Sequence, residues 1–268
     1  MNNNDGVEPG NAAYMREPAI GRMHARHTGR DPLAIADIQF VLSQLADKKP
    51  GWIADFGCGT GRTFSDLGRA GWKVIGVDMS RPMLDAAQRQ KTDETDFDGA
   101  IHPPVLIQSS LTNLAGFQPG SLDAAICLYS TLGMIRGCRN RHKFLKAAHE
   151  TVRDGGTFIV HAHNVWIQRK FPGGKRWLAT SLLRSLVSKC EFGDRWANAY
   201  GVNGLFIHSF RFGELIRDLS DAGWKTEICL VHDTPKSADD SPNQKPVAAV
   251  SRREKANALG WIIACRKT

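Results

Sequence analysis

This 268-residue sequence has no apolar run of membrane-span length, no CxxC pair and no internal repeat. The first lack excludes a membrane-spanning helix, which needs about 20 consecutive apolar residues. The second bears on the six cysteines, Cys58, Cys127, Cys138, Cys190, Cys229 and Cys265. Scattered singly, several of them in apolar strand contexts, they offer no metal-ligand set and read as free thiols in a reducing, cytoplasmic compartment. The third leaves no room for a repeat architecture. The opening residues, Met1 to Pro9, have neither a basic start nor an apolar centre. They therefore read as a polar, disordered lead rather than a signal peptide.

What is present is ordinary in bulk and unusual in places. A 42% hydrophobic share suits a globular chain, and the length allows one α/β domain with a sizeable insertion. The net charge of +8 and pI near 9.3 admit an acidic substrate, nucleic acid, a membrane surface, or simply a solvated surface rich in Lys and Arg.

The stretch Ile53-Ala54-Asp55-Phe56-Gly57-Cys58-Gly59-Thr60-Gly61-Arg62 reads as a strand entering a glycine turn that opens a helix. Glycines this dense let the backbone approach a ligand, with the following helix presenting free N–H groups to it. About 20 residues on, Asp78 closes a second apolar strand, 73–78, where an acid suits ribose hydroxyls. A dinucleotide loop has the spacing Gly-x-Gly-x-x-Gly. Here Gly57, Gly59 and Gly61 are followed by Arg62 where its third glycine belongs.

With Asp55 two residues before the first glycine, this motif closely resembles motif I of the class I S-adenosylmethionine-dependent methyltransferases. The resemblance covers about 50–164 and about 208–266. It implies a Rossmann-like three-layer α/β sandwich whose seven-stranded, mostly parallel sheet has an antiparallel last strand. It implies S-adenosyl-L-methionine as cofactor, with Asp55, Gly57, Cys58, Gly59 and Gly61 in the loop and Asp78 on the ribose. Met79 would pack on the adenine or in the core, and Leu111 and Leu128 would complete the pocket. Ser110 stands where the family usually has an adenine-binding Asp, and its hydroxyl offers a weaker, neutral bond.

Further along, Tyr129-Ser130-Thr131-Leu132-Gly133-Met134 resembles the fourth-strand tip of small-molecule methyltransferases. The Asn-Pro-Pro-Tyr and Asp-Pro-Pro-Tyr tips of amino-methylating nucleic-acid enzymes are absent. Residues 1–32 read as a flexible basic arm, with Arg22, His24, Arg26, His27 and Arg30, that either lies across the cofactor or stays mobile. Residues 33–268 read as the methyltransferase domain. Asp31 and Pro32 suit the cap and first position of a helix running to about Asp47. The segment 165–207 interleaves Arg169, Lys170, Lys175, Arg176, Arg184, Lys189 and Arg195 with Trp166, Phe171, Trp177, Phe192, Trp196 and Tyr200. It reads as a substrate lid, for which a flat or anionic acceptor is suited; a scaffold helix at 178–187 is the plainer alternative. Residues 233–257 read as a charged loop.

A general base is needed only where the attacking group arrives protonated. Candidates at strand tips are His163, Tyr129, His161 and His208, each histidine being open to a purely structural role. His161 and His163 share one strand face by period-two alternation. The leading function is methyl transfer to a small molecule. The alternatives are an RNA or protein methyltransferase, with nucleic acid the second choice, and a non-catalytic S-adenosylmethionine-binding protein.

Overall fold

The computed structural model describes residues 7–17, 19–20, 31–93, 102–188, 190–199, 201–232 and 244–268. The arginines and histidines expected in the arm at 22–30, and Lys189 and Tyr200 of the expected lid, lie outside the described residues.

Among the described residues eight strands form the central sheet. In chain order they are β1 (Trp52–Phe56), β2 (Lys73–Asp78), β3 (Val105–Gln108), β4 (Leu122–Cys127), β5 (Val152–His163), β8 (Trp224–His232), β9 (Gln244–Pro246) and β10 (Gly260–Lys267). Across the sheet they run β3-β2-β1-β4-β5-β10-β8-β9. The pairs among β1 to β5 are parallel, and β10 is antiparallel to both β5 and β8. This is the expected Rossmann-like architecture with one extra strand. The three-residue β9 pairs with the end of β8, in a stretch the sequence marks only as loop. Its Pro246 lacks a donor, and an edge position tolerates that.

Strand alternation sorts the core. Ile53, Ile126, Ile159, Ile262 and Val74 face one side, where they pack with Phe40, Val41, Leu67 and Trp72. Ala54, Phe56, Phe158, Val160, Trp261 and Ile263 face the other, against Phe144, Leu145, Leu215 and Trp224. The helices behind these residues are α2 (Pro32–Leu45) and α3 (Phe64–Arg69) on the first side, with α5 (Cys138–Thr151) and α7 (Phe212–Asp221) on the second. Asp31 caps α2 as its side chain accepts from the Leu33 N–H at 2.9 Å, with Pro32 in the first turn. A further helix, α4 (Arg81–Asp93), follows β2.

The lid region is α6 (Gly174–Val187) followed by a separate hairpin, β6 (Asp194–Ala199) and β7 (Val202–His208). Within the stretch expected to be a flexible arm, Pro9–Arg16 forms a helix, α1, docked on β7. The reason lies in Asn11, which is fully buried. Its amide donates to the carbonyls of Met134 and Phe206, and its oxygen accepts from the Phe206 N–H at 2.7 Å. Just ahead of the helix, Glu8 accepts from Arg136 and from the Trp196 indole N–H.

Candidate active site

The sheet order reverses between β1 and β4, and the crevice at such a switch point, beyond the strands' carboxyl ends, is where ligands bind. A cavity of about 360 Å³ opens there. One end is built from the glycine loop and the tip of β2. Gly57 has φ of +79°, and a Cβ there would sit 2.2 Å from Thr131; no larger residue fits without moving the β4 tip. Asp78 is locked by two backbone donors, as the Gly59 N–H and the Ser80 N–H each reach one carboxylate oxygen at 2.8 Å. Burial raises its pKa against the pull of those bonds.

Asp55, at the end of β1, accepts from the Thr63 hydroxyl at 2.6 Å. Burial pushes its carboxyl up to about 6, an effect that the Thr63 bond only partly offsets. Met79, Ser110, Leu111 and Leu128 line the same end, and Cys58 lines it with its thiol pushed well up by burial. The Ser110 and Thr112 hydroxyls share a hydrogen bond of 2.9 Å.

The donor set fits a nucleoside without a pyrophosphate. It supplies an acid for sugar hydroxyls, apolar side chains for a flat base, and one cation beside the loop. That cation, Arg62, is already engaged: it donates to the Ala34 carbonyl at 2.7 Å and to Asp37 at 3.4 Å, and it lies 5.6 Å from the Tyr129 ring centre.

The other end is walled by distant parts of the chain. Tyr14 and Met15 of α1, Met134 and Ile135 after β4, and Ala197, Leu205, Phe206 and Ile207 of the hairpin all contribute. α1 is held there by the Ser80 hydroxyl, which donates to the Met15 carbonyl at 2.6 Å. Arg195 and His163 add nitrogen donors to this wall, and Tyr129 also lines the cavity. Among the described residues, Tyr129 and Ser130 are the non-glycine residues with positive φ, at 53° and 62°. Such strain concentrates at functional sites. Here it is sustained by the Tyr129 hydroxyl donating to Asp31 and by the Ser130 hydroxyl accepting from the His163 N–H.

Of the residues singled out by the sequence, Asp55, Gly57, Cys58, Gly59, Asp78, Met79, Ser110, Leu111, Leu128, Tyr129 and His163 meet in this one cavity. Gly61 and His208 do not line it. Gly61 shapes the turn, where a Cβ would sit 2.5 Å from the Phe64 ring. His208 is buried behind the hairpin, with Nδ1 2.8 Å from Asp194 and Nε2 2.9 Å from Glu214. Burial opposes its charge, yet the two carboxylates raise its pKa, so both nitrogens are committed and neither can serve a substrate. His163 is pushed the other way, down to about 3, by burial and by its neighbours His161 and Arg195. It is neutral at physiological pH and a weak base.

Two buried polar clusters escaped the sequence. In the first, Asp37 of α2 meets His161 Nδ1 at 2.8 Å and His232 Nε2 at 3.2 Å, with Arg62 on the same carboxylate. Burial favours its neutral form, but His161 and His232 hold its pKa far below the usual range. The four residues come from α2, β5, β8 and the turn after β1, and no local pattern links them. In the second, the fully buried Arg141 pairs with Glu191 and lies 3.8 Å from Glu214, joining α5 and α7 to the hairpin through His208 and Asp194. An arginine inside an otherwise amphipathic helix was the one available signal.

A methyltransferase-domain family model matches residues 54–160. A putative methyltransferase from Bacillus subtilis, YqeM, is 25% identical over 135 residues, which is 50% of this chain and 51% of that protein. The chain spans about half the length of the curated relatives it matches. Among solved structures, a SAM-dependent methyltransferase from Methanosarcina mazei aligns with TM-score 0.65 at 18% identity, covering 85% of this chain and 96% of that one. The magnesium protoporphyrin IX methyltransferase of Synechocystis, solved with bound SAH, aligns with TM-score 0.60 at 17% identity, covering 96% and 97%. At these identities the structural likeness is one of fold.

Proposed function

We propose that this chain is a class I (Rossmann-like) S-adenosylmethionine-dependent methyltransferase that methylates a small-molecule acceptor, a reading supported by the methyltransferase-domain match over 54–160 and by the shared fold. The observation that carries the acceptor class is the wall of the cavity. Of the described basic residues in the insertion, Arg195 alone lines it, while Arg169, Lys170, Lys175, Arg176 and Arg184 are exposed elsewhere. Among the described residues the acceptor end is therefore a mainly apolar chamber walled by the chain's own α1 and hairpin, which favours a small molecule over the basic groove suited to a polymer.

S-adenosyl-L-methionine is the cofactor, and when bound it supplies an electrophilic methyl group. The protein contributes orientation and a dry site. Asp78 accepts from the ribose hydroxyls, Met79 and Leu111 cover the adenine, and Ser110 offers its hydroxyl to the base. Gly57, Cys58 and Gly59 present backbone to the amino-acid part, and Asp55 steadies that loop through Thr63. Tyr129 and His163 hold the acceptor, His163 as a neutral hydrogen-bonding group. We read 33–268 as the catalytic domain and 165–207 as its lid. α1 serves as a second cover, and six thiols without a disulfide suit the cytoplasm.

Calorimetry with S-adenosylmethionine tests cofactor binding; folded protein giving no heat would sink the reading. Incubation with methyl-labelled cofactor and a fractionated cell extract tests the acceptor. Label is expected in the small-molecule pool, and recovery in RNA or protein would overturn that assignment. Cofactor binding with label in no fraction would favour a non-catalytic binding protein.

A further inference from the structure

Resting on this reading of the cavity, we propose that the acceptor is an apolar or aromatic molecule bearing one carboxylate, and that the Arg195 guanidinium holds that carboxylate. Arg195 projects from β6 into the acceptor end. Its Nη1 donates to the Gln168 side-chain oxygen at 3.2 Å, and its buried Nε finds no acceptor. No carboxylate among the described residues pairs with it. Desolvation, unopposed by any acid, lowers its pKa.

The neighbouring arginines differ in kind. Arg62 is engaged by Asp37, Arg136 by Glu8, and Arg141 by Glu191. A partly buried cation left without a counter-charge is costly, and Gln168, itself buried, fixes it in place rather than neutralising it. A ligand carboxylate supplies the missing charge and matches the planar fork of a guanidinium.

The number of charges follows from the surroundings. Ala197, Leu205, Phe206 and Ile207 offer apolar side chains, and His163 is neutral. Among the described residues of this wall, a phosphate dianion would therefore meet one cation for its two charges. The acids Asp55 and Asp78 at the far end repel an anion from the cofactor side, which directs the acceptor's carboxylate toward Arg195.

The test uses the full chain saturated with S-adenosylhomocysteine. Linear monocarboxylates from butyrate to dodecanoate, benzoate and naphthoate are each titrated against their own primary amides and the matching alkyl or aryl phosphates. At least one carboxylate is expected to bind roughly 30-fold or more tightly than its amide. Arg195→Leu should abolish that preference, and Arg195→Lys should restore part of it. Affinity for S-adenosylhomocysteine should stay within about 3-fold in both variants.

The ligand-free Arg195→Leu protein should melt no lower than wild type, because it loses an unpaired charge rather than an ion pair. Equal binding of acid and amide, a preference for phosphate, or no carboxylate binding anywhere in the panel would each overturn the proposal. So would a marked loss of S-adenosylhomocysteine affinity on removing Arg195, which would move the residue to the cofactor. Failure of S-adenosylhomocysteine to bind wild-type protein would instead remove the methyltransferase reading itself.

Discussion

The two ends of the cavity are built in opposite ways. The cofactor end comes mainly from two contiguous stretches, 53–63 and 73–80, joined by parallel pairing of β1 and β2. Its key bonds are short-range in sequence: Gly59 to Asp78 spans 19 residues and Thr63 to Asp55 spans 8. The acceptor end draws on α1, the β4 tip, β5 and the hairpin. Its ties, such as Asn11 to Phe206, span 195 residues. A ligand common to a family can thus be held by a local motif. A ligand particular to one member is shaped by parts that meet only when the whole chain folds.

The comparison is tested most severely at Arg141. If the hairpin is fixed by the buried ionic cluster, Arg141→Met leaves Glu191 and Glu214 facing each other without their cation. The cost should be about 3–5 kcal/mol of folding stability by urea denaturation. A loss below about 1 kcal/mol would show that apolar packing alone places the hairpin.

At the cofactor end, Asp78→Ala removes a charged acceptor of two hydroxyl bonds and frees the Gly59 and Ser80 amides. Affinity for S-adenosylmethionine should fall by roughly 100-fold, about 3 kcal/mol, in calorimetry. Stability should change far less than in Arg141→Met. Unchanged affinity would refute the ribose assignment.

Asp55 sharpens the contrast through pH. Its carboxyl titrates near 4 when unfolded and about 6 when folded. The native state therefore holds this proton more tightly, and the contribution of Asp55 to stability is fully present below about pH 4. That stability, some 2–3 kcal/mol, is lost as the pH rises through about 6. Asp55→Asn should flatten this slope in denaturation curves taken from pH 4 to 8, while an unaltered slope would reassign the effect to another acid, Asp218 first, since its carboxyl also stands near 6.

The smallest effect is expected at His163. With its pKa near 3, it does not change charge between pH 5 and 8. His163→Asn should leave the shape of the kcat/KM profile there intact, even if its height falls. Loss of a limb near neutral pH would restore His163 as the general base.

Much of this was legible in the residues themselves. Dense glycines report a backbone that needs positive φ and close approach, whatever lies around it. Asp31 with Pro32 announces a helix start, and apolar runs ending in Asp78 and Leu128 announce strands that point at the ligand. Alternation correctly put His161 and His163 on one face. It gave no information about what packs on that face, so Asp37 and His232 were invisible as neighbours of His161. His208 illustrates the same limit: position at a strand tip suggested a base, while Asp194 and Glu214 decided otherwise by taking both nitrogens.

What the sequence determined by itself is therefore the sheet, the glycine loop and the class of cofactor they suit, because backbone preference and side-chain period act over a few residues. The tertiary structure alone decided that Pro9–Arg16 lines the cavity, that β9 extends the sheet, and that Arg195 stands there with no acid paired to it among the described residues. Each of these depends on which distant side chains share one volume. Burial sets the energy of a charge or an amide only after the whole chain has excluded water from around it.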